Sequence, residues 1–148
     1  MIEIANEQVV LAFDPAAFER DVTALATEAG WAGTLSIAVV DDATIATINE
    51  QFLDHEGPTD VIAFPLEEDQ GEVVVSAERA LAEAKARGVE PMAELLLYVV
   101  HGILHLMGHD DHDRSDAERM HSLSLKHLQA IGYRNTIPPE ERGGKPGS

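Results

Sequence analysis

Residues Pro91–Gly108 read PMAELLLYVVHGILHLMG, and the rest of the chain has to be arranged around them. From Leu95 to Met107 only His101, Gly102 and His105 interrupt an apolar run. A helix that is apolar nearly all round belongs inside a core. Pro91 suits the first helical position, and Gly108 suits the residue just past the end. The cleanest apolar stretch, Leu95–Val100, is far short of the roughly 20 residues that a membrane span needs.

Upstream, strands and helices interleave. IEIANEQVVLAF at the start reads as one or two short strands. DPAAFERDVTALATEAG is a helix with Asp14 as N-cap, Pro15 at its first position and Gly30 closing it. Thr34–Val40 (TLSIAVV) alternates and is β-branched, so it is a strand. DDATIATINEQFL follows as a helix with Ile45, Ile48 and Phe52 on one apolar stripe. HEGPTD is a turn, VIAFPL a strand that Pro65 ends or confines to an edge, EEDQG a turn and GEVVVS a strand. SAERALAEAKARG is a helix capped by Ser76 and ended by Gly88. Downstream, Ser115 or Asp116 caps a last helix reaching about Ile131. The expected class is α+β: a small mixed sheet of about four strands packed by about five helices. Residues 1–135 are expected to form one domain, and 136–148 (PPEERGGKPGS and its flank) a disordered tail.

The net charge is −17. Residues 1–100 hold 20 Asp/Glu against four Lys/Arg, whereas residues 101–148 hold seven against six, with six of the seven histidines. So acidic a chain is a poor non-specific binder of nucleic acid, although Arg114, Arg119, Lys126 and Arg134 could meet phosphate locally. The first residues are acidic and lack the basic n-region of a signal peptide, which fits a cytoplasmic protein with no membrane association. With no cysteine, a metal can be held only by His, Asp or Glu.

The central helix runs on into HDDHD. Val99–Asp113 thus gathers His101, His105, His109 and His112 with Asp110, Asp111 and Asp113. His101 and His105 stand at i and i+4, on one face of the helix, where both rings can reach one ion. Burying an imidazole without a partner is costly, so a shared metal gives both a role. Gly108 turns the chain back toward them. The spacing H-x-x-x-H-x-x-G-x-x-ligand, as in metzincins, puts the third ligand ten residues after the first, at Asp111. His112 is one further. The glycine register favours Asp111, and the commonness of histidine as a ligand favours His112. His109, Asp110 and Asp113 read as turn residues, Asp110 also being able to orient a ligating ring. Zinc proteases of the H-E-x-x-H kind carry their general base directly after the first histidine. Here that residue is Gly102, which argues against a peptidase.

HGILHLMGHDD resembles the H-G-x-L-H-L-x-G-Y-D-H signature of the YbeY family of endoribonucleases, also called rRNA maturation factors. PTDVIAFPLEE (Pro58–Glu68), GEVVVSAERA (Gly71–Ala80) and INEQF (Ile48–Phe52) are similar to its P-T-D-V-L-S-F-P, G-D-I-V-I-S-x-E-x-A and L-N-x-x-[FY] segments, in the same order. The likeness spans about residues 34–133. It implies one zinc ion at the end of the buried helix, held by three side chains: His101, His105 and Asp111, or His112 as the alternative third. It implies a single-strand-specific endoribonuclease acting on the 3′ end of small-subunit rRNA and in ribosome quality control, with the ribosome or ribosomal proteins as partners.

Two positions depart from the family's pattern. Its usual third ligand is histidine, where this chain has Asp111. Its usual arginine after N-x-x-[FY], associated with RNA phosphate, is Leu53 here. No arginine lies between Arg20 and Arg79, which leaves His55 as the nearby donor to phosphate. His55 and Arg114 are the expected substrate contacts, and His109 and His112 the expected catalytic bases. Thr59 and Asp60 form either a strand cap or a cleft wall. Two rivals stand beside this reading: another metal-dependent hydrolase, and a ribosome-associated module whose metal is structural.

Overall fold

A computed structural model describes residues 2–53, 59–109 and 113–133. Four strands, β1 (Ile2–Asn6), β2 (Thr34–Val40), β3 (Val61–Glu67) and β4 (Gln70–Ser76), make one sheet in the order β1-β2-β4-β3. β1 and β4 run parallel to β2, and β3 runs antiparallel to β4. Five helices complete the α+β domain: α1 (Pro15–Ala29), α2 (Asp42–Leu53), α3 (Ala77–Arg87), α4 (Pro91–Leu106) and α5 (Arg114–Ala130).

Successive strand residues face opposite sides of the sheet, and both sides are covered. Leu35, Ile37 and Val39 of β2, with Val73 and Val75 of β4, pack against α1, α3, α4 and α5. Val40, Val74 and Ile62 point the other way and meet Ile45 and Ile48 of α2. α4 is the central element: Ala93–Val100 and Gly102–Leu104 are buried without interruption. Each such aliphatic side chain contributes about 1.5–3 kcal/mol by leaving water. At Gly102 the helix backbone lies against the sheet. A Cβ there would come within 2.6 Å of Val73 Cγ1 and 3.2 Å of Val61 Cγ2.

Local signals set the element ends. Asp14 accepts a hydrogen bond from the Ala16 N–H, and Gly30 ends α1 in the left-handed region. Asp41 accepts from the Thr44 N–H at the head of α2, and the hydrogen bonds from Thr44, its side chain first, hold the Asp41 carboxyl below its usual range. Ser76 serves two helices. Its Oγ accepts from the Arg79 N–H, capping α3, and donates to Asp42 Oδ1 at 2.6 Å. Glu78 Oε1 accepts from the Asp42 N–H at 2.8 Å, so the first turn of α2 is clamped to the β4–α3 junction.

Of the one or two strands expected at the start, the structure has one, β1. Two expectations need correction. The cap of α5 is neither Ser115 nor Asp116 but Asp113, whose extended backbone lets its carboxylate accept from the Asp116 N–H at 2.8 Å. The stripe on α2 does not stay inside. Ile45 is buried, but Phe52 in the last turn is 68% exposed, although its ring still meets Phe64 of the edge strand β3. Pro65 does lie on an edge strand, and the β3–β4 register shifts between Pro65 and Glu67, where the ladder lacks a proline N–H.

Inside the charged inventory, Glu94 of α4 is buried and ion-paired with Arg87 of α3. The two tyrosines of the chain are both held protonated. Burial, and then the charges of Asp60 and Glu83, push the Tyr98 phenol up. Burial, with the hydrogen bond that Tyr133 donates to Asp21 at 2.7 Å, pushes the Tyr133 phenol up to about 12. A phenol whose folded pKa exceeds its unfolded value of 10.0 contributes its full stability below that pH and loses it as pH rises toward the folded pKa. The expected result is an absorbance titration with no tyrosine ionising near pH 10 in the folded chain and both ionising there in urea. Tyr133→Phe should remove part of the stability lost between about pH 10 and 12; an unchanged alkaline limb would refute the Asp21 contact.

Candidate active site

α4 carries the histidine pair to its C-terminal end. The rings of His101 and His105 stand 4.9 Å apart between centroids and 75° to each other, both half-buried. The helix then stops as its glycine demands. Gly108 is left-handed at φ 97°, its N–H bonds the His105 carbonyl, and the His109 N–H bonds the Leu104 carbonyl. This paired return is a Schellman turn, and it redirects the chain immediately after the second histidine.

His105 faces a cleft of about 440 Å³. The edge strand supplies one wall through Val61, Ile62, Ala63 and Pro65, and Leu106 lies beside His105. Asn49 of α2 and Thr59 complete it. Thr59 is thus a cleft wall, as one reading of the sequence has it; its hydroxyl also donates to Asp60 Oδ1 at 3.3 Å. Asn49 is the residue that sequence reasoning passed over. It is 5% exposed, and a polar side chain set among Ile45, Ile48 and Phe52 on an apolar stripe was the available signal. Gly102, where a protease would carry its base, does not line this cleft; it is packed against Val73 and Val61 of the sheet.

The other expected site residues divide. His109 is exposed and lines a second concavity of about 260 Å³ with Gly108, Asp116 and Arg119 of the α4–α5 turn. Arg114 opens α5, well exposed, with its guanidinium 3.2 Å from Glu118. His55, Asp110, Asp111, His112 and Arg134 lie outside the described residues, as does the 136–148 tail. Leu53 ends α2. Among the described residues no three His, Asp or Glu side chains come close enough to hold one ion. Two nitrogen donors on one half-buried face still fit zinc, which takes imidazole readily and needs at least one further ligand from the chain.

The elements around the cleft are without cationic side chains: residues 21–78 and 88–113 contain no lysine or arginine. Whatever enters meets hydrogen-bonding and apolar groups, not a basic surface. No helix among the described residues is long and apolar enough to cross a membrane.

A mixed four-stranded sheet wrapped by helices, with an i, i+4 histidine pair on the central helix and the second of the two facing a cleft along the edge strand, defines a small α+β domain. The family model for endoribonuclease YbeY matches residues 3–132, and the chain belongs to that family. It is 39% identical over 126 residues to an endoribonuclease YbeY of Rhodopirellula baltica, covering 81% of this chain and 65% of that one. It is 36% identical over 140 residues to that of Carboxydothermus hydrogenoformans, covering 89% of this chain and 98% of the relative. The solution structure of the Thermotoga maritima protein TM1509 superposes with a TM-score of 0.61 at 27% identity, over 88% of this chain and 89% of that one. Membership makes the chain an enzyme, a hydrolase of RNA phosphodiester bonds.

Proposed function

We propose that the chain is a zinc-dependent, single-strand-specific endoribonuclease of the cytoplasm. Its substrate is rRNA, with the 3′ end of small-subunit rRNA as the processing site. It also acts in ribosome quality control, in contact with the ribosome or ribosomal proteins. The observation that carries the reading is the His101–His105 pair, with rings 4.9 Å apart and His105 on the wall of a cleft, in a family of endoribonucleases. His101 and His105 would hold one zinc ion with Asp111, or with His112 in its place. When bound, the ion supplies Lewis-acid polarisation of a phosphodiester and a water of lowered pKa.

The chain's own residues do the rest. Asn49 and Thr59 offer an amide and a hydroxyl on the cleft wall, groups that orient a phosphodiester by hydrogen bonding. The apolar surface of β3 and Leu106 excludes water beside them. His109 or His112 is the base that takes the proton of the attacking hydroxyl or water, imidazole being the side chain whose pKa suits that task near neutrality. His55 and Arg114 contact the flanking RNA.

His101→Ala and His105→Ala should each lower zinc affinity by about tenfold or more and abolish cleavage of single-stranded RNA. Metal content after dialysis checks this, and full zinc retention in both variants would remove the site. Asp111→Ala and His112→Ala, measured the same way, identify the third ligand. Leu53 in place of the family's arginine, and the acidic chain as a whole, favour one rival, a ribosome-associated module with a structural metal. That rival prevails if chelation unfolds the chain while zinc-loaded protein leaves single-stranded RNA intact.

A further inference from the structure

Phe52 occupies the last turn of α2 and is 68% exposed, an unusual position for a side chain that gains so much by burial. It is held in place nonetheless. Its ring meets that of Phe64 edge to face, with centroids 6.1 Å apart and planes at 80°. Phe52 lies three residues beyond Asn49 on its helix, and Phe64 two beyond Ile62 on the same face of β3; Asn49 and Ile62 both line the cleft. Neither ring lines the cleft itself; the aromatic pair stands beside it, on the two elements that supply Asn49 and Ile62.

The charge distribution limits how RNA can be gripped there. No lysine or arginine occurs in α2, β3, β4 or α4. The cations of the neighbouring helices, Arg79, Lys85 and Arg87 of α3 and Arg114, Arg119 and Lys126 of α5, do not line the cleft, and the four arginines each have an acidic neighbour: Glu83, Glu94, Glu118 and Asp116. Affinity from phosphate neutralisation and counterion release needs cations at the site. Stacking does not, because every base offers a π-face to an aromatic ring.

From this we infer that Phe52, steadied by Phe64, is a stacking platform that takes one unpaired RNA base beside the cleft. It is a substrate-positioning residue, and the inference rests on the endoribonuclease reading above. It also supplies a physical basis for preferring single strands: a base inside a duplex is already stacked on its neighbours, whereas an unpaired base gains a partner. Binding by stacking should depend only weakly on salt.

The test compares zinc-loaded wild type with Phe52→Ala, Phe52→Leu and Phe52→Trp on a single-stranded oligoribonucleotide. Alanine and leucine should raise KM about 5- to 100-fold with kcat within about threefold of wild type, and tryptophan should restore KM. An oligonucleotide carrying abasic residues near the cut should bind wild type and Phe52→Ala alike. Thermal melts of the three variants should overlay that of wild type, because the side chain is exposed. Leucine performing as well as phenylalanine, or alanine leaving KM unchanged while wild type cuts RNA, would overturn the stacking platform alone. Wild type that neither binds nor cuts the oligonucleotide would overturn the endoribonuclease reading and the platform with it.

Discussion

Glutamate placed at position 102 will leave the chain unable to fold, rather than give it the base of a zinc protease. The first added atom already fails to fit: a Cβ would meet Val73 Cγ1 at 2.6 Å and Cγ2 at 3.0 Å. Val73 is fully buried on β4, and a β-branched side chain has few rotamers in which to retreat. Gly102→Ala should therefore cost about 1–3 kcal/mol in overpacking, partly offset by the roughly 1 kcal/mol that alanine gains over glycine in a helix. A carboxylate adds a buried, unpaired charge, with a penalty of several kcal/mol more. Together these approach the whole stability of a typical domain, about 5–15 kcal/mol. Urea unfolding followed by circular dichroism checks both variants. A Gly102→Glu chain with a native spectrum and an undisturbed midpoint would show that the helix–sheet contact is not as close as described.

Arg87→Met is expected to cost about 3–5 kcal/mol, as much as truncating a large core side chain. The reason is its partner. The Glu94 side chain is 4% exposed, so deleting the guanidinium strands a carboxylate among the apolar residues of α4. The Arg87 side chain keeps 20% of its surface in water, so Glu94→Leu, the reverse deletion, should cost less. Replacing both together should recover most of the stability, since a well-packed apolar pair often matches a buried ion pair. Denaturation midpoints of the two single variants and the double variant form the cycle. Additive losses would mean that the two side chains act independently.

Much of this fold was legible because its signals are local. Asp14, Ser76, Gly30, Gly88 and Gly108 each mark a helix end by chemistry confined to a turn, and each does so in the structure. The strand Thr34–Val40 and the buried helix α4 followed from periodicity and apolar density. What escaped depends on partners distant in sequence. Asp113, Ser115 and Asp116 are all competent caps, and it is the extended backbone at Asp113 that lets its carboxylate take the Asp116 N–H. Phe52 fits the α2 stripe, yet in the helix's last turn it meets the edge-strand ring of Phe64 and most of its surface stays exposed. Gly102 reads in sequence as a missing catalytic base. Only the position of Val73 and Val61 shows that the glycine meets a steric demand of the packing.

The clamp of Asp42 onto Ser76 and Glu78 fixes one end of α2, while Phe52 projects from the other. One short helix thus divides its duties along its length. Substitutions at the two ends should therefore separate in what they disturb: within residues 42–45 the melting temperature falls, whereas at the exposed Phe52 the melt stays and, on the platform inferred above, the KM for RNA rises.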